Sequence, residues 1–168
     1  MNVLNKVISF YCFTSIKKES VSVLKKRLMK YELEGITGLI ILATEGINGT
    51  ICGSEKEVSK FFNVILGVVE NQDLNEKISY SNKNIFKNLK IKIKPEIVTI
   101  GIDDLNPKKY SGVYLEADEW NLLIEEKDTL LIDTRNHYEI SLGSFKNSIN
   151  PNTKNFREFP EWIERNLN

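Results

Sequence analysis

Twice within the first hundred residues, an apolar run of strand length leads into a stretch whose apolar positions recur at helical spacing. Val7 to Phe13 is the first such run, rich in aromatic residues as strands are. Val21, Leu24, Leu28 and Tyr31 then fall three, four and three apart, on one helical face. Lys25, Lys26, Arg27 and Lys30 occupy the remaining surface, and Gly35 is a suitable stop. GLIILA, residues 38–43, is continuous, as expected of a central strand covered on at least one side. After TEGING comes TICG, a second short strand. Ser54 and Glu57 make a capping box, in which each side chain can bond the other's exposed amide. Behind it, Val58, Phe61, Phe62, Ile65 and Val69 form the second helical stripe.

Ile78 to Tyr80 is a weak strand signal and LKIKIKPEIVTI, from Leu89, a strong one. There Leu89, Ile91 and Ile93 share one face, and Lys90, Lys92 and Lys94 the other. The order β-α-β-β-α-β, with a possible extra strand, predicts an α+β ferredoxin-like domain over residues 1–100. Two helices would then lie on one face of an antiparallel sheet.

Residues 101–117 read as a connector, with Gly, Pro, Asp and Asn and little periodicity. A second unit over 118–168 opens with Asp118 as an expected N-cap for EWNLLIEE, then the strand TLLID, a polar loop, SFKNSINP and the start of a final helix. One helix, one strand and a fragment are too little to close a core, so a truncated piece of a longer protein is expected.

Acidic and basic residues balance at 23 each, so no overall field steers the chain towards nucleic acid or anionic membrane, and such a partner needs a local patch. No apolar run approaches the length of a membrane span, and MNVLNKVISFYCF lacks the marks of a signal peptide. A soluble, cytoplasmic protein is expected. Cys12 and Cys52 match neither metal spacing nor a disulfide framework. Each reads as a small buried apolar residue, although their strands would be neighbours and the thiols could be close.

Four features carry possible chemistry. ATEGINGT is open to two readings, an anion-binding nest or a hairpin connection in which Gly46 or Asn48-Gly49 supplies positive φ. Glu45 and Asn48 are its side chains of interest for RNA. KNIFKNLKIKIK, residues 83–94, can track phosphates through Lys87, Lys90, Lys92 and Lys94, with Phe86 stacking on a base. Its lysines can equally be a solvated strand face that discourages edge pairing. Asp133, Arg135 and Glu139 stand where a strand gives way to a loop, either as site residues or as an ion pair and capping network. His137, the only histidine, has no second base or metal partner and is expected in an exposed loop.

Three stretches together resemble the rhodanese-related tRNA uridine hydroxylases: ILATEGINGTICG (41–53), GVYLEADEWNLLI (112–124) and IDTRNHYEISLGSFKNSINPNTKNFREFP (132–160). They occur in that family's order and spacing. The resemblance implies an N-terminal acylphosphatase-like (ferredoxin-like) domain and the start of an α/β rhodanese-like domain. It also implies oxygen-dependent hydroxylation of the tRNA wobble uridine to 5-hydroxyuridine, docking of the anticodon region and molecular oxygen as co-substrate. No other cofactor and no metal fingerprint is evident. In that family the nucleophile is a cysteine in a glycine-rich loop after the next strand. No cysteine follows Cys52 here, so it is expected beyond Asn168, with Asp133, Arg135 and Glu139 as scaffold and the chain inactive alone. A sulfurtransferase, or a non-catalytic RNA- or protein-binding module, are the rivals.

Overall fold

In the computed structural model, residues 4–69, 74–102 and 112–167 are described. The chain divides into two compact units, Met1–Val98 and Thr99–Asn168.

The first unit runs β1 (Asn5–Phe13), α1 (Lys18–Met29), β2 (Thr37–Ala43), β3 (Gly46–Gly53), α2 (Glu55–Val69), β4 (Asn75–Ser81) and β5 (Leu89–Ile93). The sheet order is β4-β1-β3-β2-β5. The first four strands pair antiparallel, and β5 adds to β2 in parallel. This is the expected ferredoxin-like pattern with one strand more. The weak signal around Ile78 is the fold's own fourth strand, and the strong LKIKI signal is the addition. β5 is also shorter than its sequence suggests. Lys94 N donates to Leu42 O at 2.9 Å, β2 ends at Ala43, and Pro95 brings no N–H to continue the ladder. Ile93, expected to share the buried face of Leu89 and Ile91, is 48% exposed.

Both helical stripes face the sheet. Val21, Leu24 and Leu28 of α1, and Val58, Phe61, Phe62, Val64, Ile65 and Val69 of α2, join Ile8, Phe10, Ile40, Leu42, Ile47 and Ile51 in one buried cluster. Phe61 has no exposed surface and meets Tyr31 edge-on, ring centroids 5.2 Å apart. Burying a side chain of that size stabilises the fold by about 1.5–3 kcal/mol. Past α1 the chain tightens into a 3₁₀ turn, Lys30–Glu34, and Gly35 ends it at φ +83°, where the absence of a Cβ matters. Ser54 Oγ accepts from Glu57 N at 3.3 Å, one half of the expected box, while the Glu57 carboxylate receives Lys60 Nζ at 3.0 Å.

ATEGINGT is the hairpin connection between β2 and β3 and not a nest, but it is shorter than expected. Its turn is only Thr44-Glu45, with Ala43 paired to Gly46. Gly46 carries the positive φ, +153°. Asn48 and Gly49 lie inside β3 as ladder residues, so they make no turn and form no nest.

The second unit contains α3 (Ala117–Leu123), α4 (His137–Ile140), a 3₁₀ turn (Phe156–Glu158) and α5 (Phe159–Asn166). Most of the expected connector, 103–111, lies outside the described residues. Glu116 rather than Asp118 caps α3, because Glu119 Oε2 accepts the Glu116 N–H at 2.9 Å in a capping box. TLLID, expected as a strand, makes a single bridge, Ile132 to Ile149, since no further strand lies beside it among the described residues. The buried residues described here are Asp133, Pro151 and Thr153; Leu122, Leu130, Tyr138, Leu142 and Phe145 are exposed. His137 is exposed, but as the first residue of α4 and not in a loop. Among the described residues no helix is long and apolar enough to cross a membrane.

Candidate nucleic-acid interface

Side chains alternate across a strand, so the residues between the core positions point away from the helices. Register assembles them into rows that cross the whole sheet. Ser9 of β1 faces Lys77 on β4 and Thr50 on β3; Thr50 faces Leu39 on β2, and Leu39 faces Lys90 on β5. The next row is Asn75, Tyr11, Asn48, Ile41 and Lys92. The ten positions hold three lysines and no carboxylate. Ser9, Leu39, Lys77, Lys90 and Lys92 are exposed. Ser9 Oγ and Thr50 Oγ1 share a hydrogen bond of 2.9 Å, and the Tyr11 ring meets Phe13 edge-on at 6.4 Å.

Both ends of this face are closed. At one, the Thr37 hydroxyl shares its proton between Cys52 O at 3.2 Å and Asn84 Oδ1 at 2.9 Å, and Val7 and Cys52 are buried. At the other, Ile97 is 2% exposed. Its N–H donates to Glu45 Oε1 at 2.6 Å and its carbonyl accepts from Asn48 Nδ2 at 3.0 Å. Glu45 and Asn48 therefore anchor the segment after β5. Lys90 and Lys92 stand in the two rows, and Lys94 is exposed one residue past β5. Phe86, half-buried, and Lys87, exposed, lie in the loop before β5, outside the rows. Sequence reading missed Lys77, Ser9, Thr50 and Tyr11; only the register brings them together.

In the second unit, Asp133 and Arg135 form a tight pair. Arg135 Nε donates to Asp133 Oδ1 at 3.0 Å and Nη2 to Oδ2 at 2.6 Å. Nη2 also donates to Gly143 O at 2.8 Å, and Ser144 Oγ to Asp133 Oδ2 at 2.7 Å. Glu139 does not hold the guanidinium by hydrogen bonds; its Oε2 accepts from Asn136 N at 3.1 Å and Nδ2 at 2.8 Å, closing the capping box of α4. Hydrogen bonds from Arg135, then from Ser144, hold the Asp133 carboxyl well below the usual carboxylate range. A depressed carboxyl stabilises the fold above its unfolded pKa and loses that contribution as pH falls through the folded one. A carboxyl ¹³C titration is expected to show Asp133 still ionised at about pH 3, where an unperturbed Asp is largely protonated. Arg135→Gln is expected to return it to the ordinary range.

The two cysteines do not meet. Cys52 pairs with Val7 and Cys12 with Ile47, five positions apart along β1 and on opposite faces, a separation of about 17 Å along the strand. Both are buried, which removes the basis for a paired redox role.

Antiparallel order β4-β1-β3-β2 with two helices on one face is the acylphosphatase-like arrangement, here with an added edge strand and an open face flanked by lysines. The chain belongs to the family described as the UPF0176 acylphosphatase-like domain, which it matches over residues 5–97. It is 53% identical over 163 residues to a protein of Prochlorococcus marinus (strain MIT 9515) named tRNA uridine(34) hydroxylase, covering 96% of this chain and 53% of that one. A protein of the same name from P. marinus subsp. pastoris is 50% identical over 99% of this chain and 54% of its own length. The chain thus spans about half the length of the curated relatives it matches. Among solved structures, an acylphosphatase from Coxiella burnetii matches 53% of this chain and 94% of its own, at 11% identity and TM-score 0.38. The BLUF protein BlrB matches 55% of this chain and 74% of its own, at 14% identity and TM-score 0.45.

Proposed function

We propose that this chain is the RNA-docking half of an enzyme that hydroxylates the wobble uridine of tRNA to 5-hydroxyuridine in the cytoplasm. The carrying observation is identity of 53% and 50% to proteins named for that reaction, running through both units and not only the matched domain. Lys90, Lys92 and Lys94 would contact the anticodon region, and Lys87 and Phe86 would extend that contact along the loop. Molecular oxygen would be the co-substrate. The chemistry is assigned to the half of the relatives that this chain does not span, through a rhodanese-type cysteine. Asp133, Arg135 and Glu139 are its scaffold: the pair and the cap fix the loop that follows Ile132, and the cysteine loop would follow the next strand. Hydroxylation is favoured over sulfur transfer because the relatives are named for it.

The test is nucleoside analysis of tRNA from cells lacking their own hydroxylase. Expression of this chain joined to the C-terminal half of the MIT 9515 relative is expected to restore 5-hydroxyuridine, and the chain alone is not. Restoration by the chain alone would overturn the division of labour. A soluble, folded joined protein that leaves uridine 34 unmodified would overturn the function.

A further inference from the structure

We infer that the helix-free face of the sheet is a platform for unpaired RNA nucleotides, with phosphates held between Lys77 on one edge and Lys90 and Lys92 on the other, and a base laid on Tyr11. This rests on the reading above that RNA is the partner, and assigns to it a surface and a type of RNA structure.

Charge carries the first part of the argument. The chain has no net charge, yet the ten positions of the two rows hold three lysines and no Asp or Glu. Lysine is depleted at the centres of protein–protein interfaces, and the apolar residues of these rows other than Tyr11 are Leu39 and Ile41. A polyanion suits the face better than an apolar partner. Edge lysines can serve only to discourage strand pairing. Here, however, lysines stand on both edges and in register, Lys77 and Lys90 ending the same row, about 19 Å apart across four strand spacings.

Shape carries the second part. The sheet is closed at Thr37–Asn84 and at Glu45–Ile97, leaving a shallow strip across the strands between them. Low side chains line it: Ser9, Thr50 and Leu39 in one row, with Tyr11 the single aromatic of the other. A duplex buries its base faces and offers a sheet only phosphates and 2′-hydroxyls, whereas unstacked loop bases can lie on an aromatic ring. The Ser9 and Thr50 hydroxyls can each donate and accept, as the 2′-OH and base edges of loop nucleotides require.

The experiment measures binding of the 168-residue chain to an anticodon stem-loop RNA and to a blunt duplex RNA, at about 50 mM salt where phosphate contacts are strong. Lys77→Glu alone, and Lys90→Glu with Lys92→Glu, are each expected to weaken stem-loop binding by about tenfold or more and to flatten its salt dependence. Tyr11→Leu is expected to weaken the stem-loop about tenfold while leaving the duplex within about twofold. Lys18→Glu with Lys26→Glu, on α1 across the sheet, serves as the control and is expected to change neither. Circular dichroism confirms that each variant is folded. Absence of stem-loop binding by the unaltered chain, face variants that bind as tightly as it does, or a control that loses as much as they do, would each overturn the platform. Equal affinity for duplex and stem-loop would overturn its preference for unpaired nucleotides. The platform and the function fail separately. If the joined protein modifies uridine 34 while the face variants keep their affinity, the platform alone is wrong. If the face variants lose affinity but the joined protein modifies nothing, the hydroxylase reading alone is wrong.

Discussion

Gly46→Ala, in the β2–β3 hairpin, is expected to destabilise the first unit severely. Gly46 opens β3 at φ +153°, pairs with Ala43 on one side and with Phe13 on the other, and is buried. A Cβ built there would lie 2.1 Å from the Cys12 carbonyl oxygen and 3.0 Å from Ile97 Cδ1. The first neighbour is main chain, next to the last pair of the β1–β3 ladder, and cannot swing aside as a side chain would, so β1 and β3 must part at that end. Adding about 1–3 kcal/mol of backbone strain to a similar overpacking cost gives a loss of about 2–6 kcal/mol. That is a large share of the 5–15 kcal/mol that typically stabilises a domain. Gly35→Ala is the matched control: its φ is +83°, but nothing lies within 4 Å of the added carbon, so only about 1 kcal/mol is at stake. Urea denaturation of the two variants checks the difference. Equal midpoints would mean that the hairpin tolerates the separation of β1 from β3.

The position of that glycine also shows where sequence reading reached and where it stopped. Both helices were legible because Val21, Leu24 and Leu28, and Val58, Phe61, Phe62 and Ile65, repeat at helical spacing and all face the sheet. β4 was hard to read because an edge strand with both faces wet has no alternation to show: its first six residues are all exposed. β5 was easy to read and easy to misplace. Alternating Leu89, Lys90, Ile91 and Lys92 declare a strand, but nothing local says that it pairs in parallel with β2 as an addition to the fold. The turn was misjudged in extent because Asn48-Gly49 is a strong hairpin signal by itself, whereas the ladder from Gly46 to Gly53 makes it strand interior.

The candidate interface divides in the same way. Lys90 and Lys92 were visible as one face of an alternating strand. Lys77 stands 13 residues before Lys90, in a strand with no pattern, and joins it only through the pairings to Ser9, Thr50 and Leu39. Glu45 and Asn48 were visible as polar residues beside glycines, but their hydrogen bonds to Ile97 depend on where the chain returns after β5. In the second unit, the Asp133–Arg135 pair was legible because two residues of sequence separation already put the charges within reach.

The central claim is that this chain docks tRNA and leaves the chemistry to the half it does not span. Steady-state hydroxylation of uridine 34 by the joined protein carrying Lys77→Glu, Lys90→Glu and Lys92→Glu tests it most directly. Removing three phosphate contacts from binding, without touching the reacting atoms, is expected to raise KM for tRNA by about a hundredfold at low salt, with kcat held within about twofold. An unchanged KM with a fallen kcat would contradict it, because these lysines would then act in the reaction itself and not in holding its substrate.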